Sequence, residues 1–229
     1  MNSLFLGLLG VIGTLIAYMG ALYIYQKYPY PILLPVFVAT VAIAITLILF
    51  HIPYDAYMQG GKWIDWLLGP AVVALAYPLY NQWEMVKKYP FPLLAGVGIG
   101  SLLGITTGLL LAKWLHFDHQ VIYSLIPKNS TTPVAMEITE SLGGIAPMAT
   151  VFVMIAGIGG AITGPAILKR LGITHFLAIG IGVGSASHAI GTSKVMEYGV
   201  LAGAVSTVAM SLSAVVISIL SPILTNILM

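Results

Sequence analysis

The chain has 229 residues, of which 59% are hydrophobic and only 7% charged, with a formal net charge of +2. A soluble domain carries roughly 25% charged residues, so this composition excludes one and points to a polytopic membrane protein. The small charge and the lack of basic motifs give no reason to expect nucleic acid as a partner, and the absence of Cys excludes disulfides and thiolate metal sites.

The chain begins with Leu4–Tyr25, which lacks the charged start and small-residue cleavage site of a signal peptide and reads as a retained first span. Apolar segments follow at Ile32–Phe50, Trp66–Tyr80, Phe91–Leu115, Val121–Leu142, Ile145–Leu168, Phe176–Tyr198 and Leu201–Met229, at about 20 residues per span. The expected architecture is all-α, a single membrane domain over residues 1–229 with 7–8 membrane segments. Residues 1–52 read as scaffold-like spans and 53–229 as a transport core, with helix breaks near 69–71, 127–133 and 184–192. Lys27, Lys87 and Lys88 favour a cytoplasmic side for the loops after the first and third spans. Lys169 and Arg170 obey the same rule only if Val121–Leu142 dips into the membrane and returns, so a re-entrant segment is expected there, with eight simple spans as the alternative.

The third segment carries Gly69-Pro70-Ala71-Val72, which resembles Thr132-Pro133-Val134-Ala135 further on. Each reads as a proline opening a half-helix, and each precedes a glycine-rich helix, a pattern compatible with an inverted repeat. In the fourth segment Gly96, Gly100, Gly104 and Gly108 form one smooth ridge at four-residue spacing. Ala156, Gly160 and Gly164 form another in the sixth. Such ridges pack helices closely, and a sliding surface is the sharper reading.

The fifth segment contains Ile126-Pro127-Lys128-Asn129-Ser130-Thr131-Thr132-Pro133, polar and proline-broken where lipid demands hydrocarbon. Thr132 reads as an N-cap and Pro133 as the first residue of a half-helix. The free N–H groups and positive dipole end of such a helix, with Lys128 beside them, suit a small carboxylate. Beyond it, Pro133, Glu137, Glu140 and Ser141 share one helical face and Val134, Ile138 and Leu142 the other. Glu137 is an intramembrane acid and a candidate for proton coupling, whereas Glu140 suits a solvated helix end. In the seventh segment Gly180, Gly184, His188 and Thr192 share a helical face, and His188 stands mid-span among hydroxyl residues. His188 is the second candidate for proton coupling. Pro70, Ala71, Lys128, Asn129, Ser130, Thr131, Thr132, Ser187, His188 and Thr192 are the candidate substrate-binding residues. His51, His116, His119 and His175 border spans without metal-ligand spacing, and no P-loop, HExxH or hydrolase elbow is present. Neither a metal, a cofactor nor an enzymatic activity is expected.

The stretches Leu68–Tyr80, Ile126–Glu137 and Ser187-His188-Ala189-Ile190-Gly191-Thr192, with Gly143-Gly144 and Lys194, resemble the CidB/LrgB family of bacterial membrane proteins from about Tyr28 onward. Members often carry Ser-Val or Ser-Ile where this chain has Asn129-Ser130. The resemblance implies a multi-pass protein of the bacterial cell membrane with a small companion membrane protein of the CidA/LrgA type. It implies one of two functions. The first is a carrier for small monocarboxylates such as pyruvate, glycolate or glycerate, as in the plastid relative. The second is a holin-like or antiholin-like role in murein hydrolase activity, programmed cell death and lysis. Paired breaks with Lys128, Glu137 and His188 favour the carrier, with proton coupling as a further expectation. A homodimer is expected through the first two spans, where Gly7, Gly10 and Gly13 suit helix contact.

Overall fold

A computed structural model describes residues 3–30, 33–74 and 76–229. Pro31, Ile32 and Leu75, which fall in or beside the expected second and third spans, lie outside the described residues. Every regular element among the described residues is a helix. In order these are α1 (Ser3–Lys27), α2 (Pro35–Leu49), α3 (Tyr54–Asp65), α4 (Leu68–Ala74), α5 (Ala76–Asn81), α6 (Trp83–Lys88) and α7 (Pro90–Trp114). The second half continues with α8 (His119–Leu125), α9 (Thr132–Leu142), α10 (Ala146–Arg170), α11 (Phe176–Val195) and α12 (Val200–Leu228). Lipid offers the backbone no hydrogen-bond partner, so helices that satisfy themselves are the expected solution. Among the described residues, six helical stretches are long and apolar enough to cross a membrane, and α2 is a shorter apolar one. The chain is thus an all-α polytopic membrane protein.

The chain divides into two compact units, Met1–Ala71 and Val72–Met229. In the first, α1 lies against α3, and a methyl group added at Gly60 would collide with the Gly7 carbonyl. The Thr14 hydroxyl donates to the Gly10 carbonyl at 2.7 Å and meets the Tyr57 hydroxyl at 2.8 Å. Gly7 and Gly10 therefore face α3 of their own chain, whereas Gly13 has nothing within 4 Å.

In the second unit α7, α10, α11 and α12 are the long helices, and α11 is buried among the other three. Lipid tails are as apolar as Leu, so the advantage of these contacts comes from close packing rather than from escape out of water. Glycine supplies that closeness. Gly180 and Gly184 of α11 sit against Val205 and Ser206 of α12, where any Cβ would be too near. Between these contacts, Leu93 and Val97 of α7 pack with Ile181 and with Val205 and Val208 of α12. Further along α7, Ile105 and Leu109 pack with Ile122, Ile126, Val134 and Ile138 and with Ile217 of α12. That second cluster fastens α8 and α9 to the long helices. α9 stops at Gly143, whose φ of 82° is open to glycine but disfavoured for a side chain.

Candidate functional site

The segment α8–α9 enters the bundle and comes back. Gly108 of α7 is so close to Lys128 that a Cβ there would lie 2.5 Å from its Nζ, and one on Gly104 would collide with the Asn129 amide. Gly104 is 10 residues before the end of α7, about 15 Å along the helix. That is half the thickness of a hydrocarbon core of about 30 Å. The far end of α9 returns to α8, because the Ile145 N–H donates to the Ser124 hydroxyl at 2.8 Å. α9 has 11 residues and is about 16 Å long, so it too covers half the core. α8 and α9 therefore form a hairpin of two short arms and not one straight helix.

Pro127 and Pro133 flank the turn at the bottom of this hairpin, and neither has an N–H to continue a helix through it. Ile126 before Pro127 still has helical φ −52° and ψ −53°, and the chain becomes extended only at Thr131. α9 begins at Thr132 with Pro133 in its first turn. Its N-cap is Thr131, with φ −72° and ψ 150°, not Thr132 as the sequence suggested. The difference is one residue, because a proline is accepted at either of the first two helical positions. No side chain caps this end. The first N–H groups of α9 are left open, apart from the one proline lacks. The hydroxyls of Ser130 and Thr131, 1% and 8% exposed, have no partner, and neither has that of Thr139, at 0%. A buried hydroxyl without a partner costs about 1–3 kcal/mol. Lys128 Nζ donates to the Gly104 carbonyl at 2.7 Å.

A second interruption lies in α11. His188 has φ 43° and ψ −136°, a conformation that suits glycine and strains any other residue. Its effect is to turn the imidazole away from the neighbours on its expected face. Gly180, Gly184 and Thr192 meet α12, where the Thr192 hydroxyl lies 2.8 Å from that of Ser206. The His188 ring instead meets α10, its Nε2 3.0 Å from the Val153 carbonyl and its edge against Gly157. A carbonyl only accepts, so Nε2 carries the proton and donates. The shared face of Gly180, Gly184, His188 and Thr192 is therefore corrected at His188, because the backbone break rotates that one side chain out. Thr192 Oγ1 donates to the His188 carbonyl at 2.8 Å, holding the chain across the break.

α7 packs against both interrupted segments. Its ridge meets Ile181 at Gly96, Ser185 at Gly100, Asn129 at Gly104 and Lys128 at Gly108. Ser185 and Asn129 thus contact successive turns, about 6 Å apart along the axis. On α10 the ridge residues Gly160 and Gly164 meet Ser187 and Val183 of α11, and Gly157, beside that ridge, meets His188. Lys128, Asn129, Ser130 and Thr131 come from the hairpin, and Ser187, His188 and Thr192 from α11, all in the same unit. Thr132 is half-buried at the start of α9. Pro70 and Ala71 are exposed in α4 and belong to the first unit.

Glu137 lies elsewhere. It lines an open groove of about 390 Å³ with Val134 and Ile138 of its own helix and with residues of α5 and α12. It shares that groove with the two residues assigned above to the opposite face, because a residue one position before Ile138 and three after Val134 lies at the border between faces. No ion pair joins it to Lys128 among the described residues. Ser185, Ser206 and the Val153 carbonyl are additions that the sequence did not single out. The signal for Ser185 was present, since a glycine ridge marks where a neighbouring polar side chain comes close. Among the described residues no group of three His, Asp, Glu or Cys side chains is placed to hold a metal.

These features define a multi-pass membrane protein with a broken hairpin and an interrupted helix, both packed against α7. Residues 14–227 match the LrgB-like family. The chain belongs to that family. It is 50% identical over 210 residues to the uncharacterized protein YxaC of Bacillus subtilis strain 168, covering 92% of this chain and 91% of the relative. It is 37% identical over 224 residues to the holin-like protein CidB of Staphylococcus aureus strain N315, covering 98% of each chain. The holin-like protein CidB of Staphylococcus epidermidis strain ATCC 12228 is 34% identical over the same length, again covering 98% of each. No solved structure matches the chain.

Proposed function

We propose that this chain is a holin-like protein that controls the permeability of the bacterial cell membrane. The similarity to staphylococcal proteins named holin-like, over 98% of the chain, supports this reading. A narrower second reading is favoured by one observation, the partnerless Ser130 and Thr131 hydroxyls beside Lys128 in a broken hairpin. An open lesion has no use for such groups, whereas single-solute passage does. In that reading the chain is a carrier for monocarboxylates of two or three carbons, such as pyruvate, glycolate or glycerate. Lys128, the α9 N-terminus, Asn129, Ser130, Thr131 and Thr132 hold the carboxylate. Ser187, His188 and Thr192 complete the site, and Glu137 or His188 carries a coupling proton. The first spans act as the static part of a homodimer, and a small CidA/LrgA-type membrane protein is the partner.

Proteoliposomes loaded with calcein separate the two. A lesion releases calcein when the protein is added. A carrier retains calcein and takes up labelled pyruvate, glycolate or glycerate in a saturable way. With the carrier, Lys128→Met is expected to lower uptake at least tenfold while the protein keeps its elution volume and thermal midpoint. Uptake at the wild-type rate by that variant removes Lys128 from the pathway.

A further inference from the structure

The Glu137 groove stands apart from the Lys128 site and has its own chemistry. Its walls are apolar, formed by Val73, Ala76, Leu79, Val134, Ile138 and Val215 among others, and its volume of about 390 Å³ falls in the range of small-molecule sites. Its polar lining consists of Glu137, Ser211 and Ser218. Both serines have committed their protons to their own helix. Ser211 Oγ donates to the Thr207 carbonyl at 3.0 Å, and Ser218 Oγ to the Ala214 carbonyl at 2.8 Å. What they offer a guest is therefore lone pairs. An ionised Glu137 also only accepts. Pro222, inside α12, removes the N–H that would have answered the Ser218 carbonyl, adding an acceptor on the same turn. No ion pair among the described residues neutralises Glu137. Glu137 is exposed along the groove and is the one acidic side chain of its lining.

A site that presents acceptors, one negative charge and apolar walls selects a guest with N–H donors, a positive charge and an apolar body. We propose that the groove between α5, α9 and α12 binds a primary ammonium carried on a hydrocarbon group, with the ammonium at Glu137 and the hydrocarbon along Val134, Ile138 and Val215. The guest bridges α9 to α12 and thereby ties down the helix whose other end opens at Thr131.

The test is calorimetric titration at pH 8 of the full chain in phosphatidylcholine nanodiscs, whose headgroup ammonium has no N–H. n-Hexylammonium is expected to bind saturably, and 1-hexanol, of equal length but uncharged, at least tenfold more weakly. Glu137→Gln is expected to weaken hexylammonium at least tenfold. Val215→Trp, at an exposed position, fills the groove, leaves Glu137 in place and is expected to abolish binding. Equal affinity for hexanol, unchanged affinity in either variant, or no saturable binding to the wild type overturns the proposal. Repeating the titration in phosphatidylethanolamine nanodiscs identifies the source. Suppressed hexylammonium binding there assigns the site to that lipid's ammonium, and retained binding assigns it to a free amine.

Discussion

Gly159 and Gly160 are neighbours in α10 and differ in one respect. A Cβ on Gly159 meets nothing within 4 Å, while one on Gly160 collides with the Ser187 hydroxyl and lies 2.8 Å from Ser187 Cβ. Replacing either by Ala gains about 0.8–1.0 kcal/mol of helix propensity. At Gly159 nothing opposes that gain, so Gly159→Ala is expected to be more stable than the wild type by up to about 1 kcal/mol. At Gly160 the new methyl overfills the contact with α11, at a cost of about 1–3 kcal/mol or more. Because Ser187 precedes the strained His188, the collision falls on a segment with no slack. The net expectation is destabilisation by up to about 2 kcal/mol, after subtracting the propensity gain. Thermal unfolding in mild detergent should rank Gly159→Ala above wild type and wild type above Gly160→Ala. Adding Ser187→Gly to Gly160→Ala removes the collision and should recover part of the loss. Equal shifts for the two single variants would refute the packing of α10 against the break in α11.

Ser130→Ala and Thr131→Val remove buried hydroxyls that have no partner, so unliganded stability should hold or rise by up to about 1–3 kcal/mol; thermal midpoints without and with pyruvate check this, and in the carrier reading the ligand-induced shift disappears. Glu137→Gln and His188→Asn separate the two proposed routes for a coupling proton: whichever residue carries it, its variant should keep solute exchange and lose stimulation by a pH gradient in proteoliposomes, and no change in either points to uncoupled passage.

The broken character of this fold was legible where chemistry left a mark on composition. Prolines at 127 and 133 around a polar run announced the hairpin, and Lys169 with Arg170 made its return the simpler topology. The one-residue error at the N-cap reflects proline's tolerance of two helical positions. A break near 184–192 was expected, but no proline marks its position, and Ser187 and Ala189 belong to ordinary helical sequence, so the strained residue itself, His188, was not legible. Its cause is tertiary: Gly157 and the Val153 carbonyl on α10 receive the ring, and Thr192 and Ser206 hold the other face to α12. A helical-face argument placed Glu137 on the polar side of α9, but it could not say which neighbours would flank a residue at the border between faces. The groove is formed by α5 and α12, far away in sequence.

In the carrier reading, the bond between Lys128 and the Gly104 carbonyl bears on how a carboxylate is received. An ammonium has three N–H donors, and this bond engages one of them. The carbonyl therefore anchors the lysine head to α7 and leaves two donors for a carboxylate. Ordering a long lysine side chain costs about 1.5–2 kcal/mol, and in that reading the anchor meets much of this cost before the anion arrives.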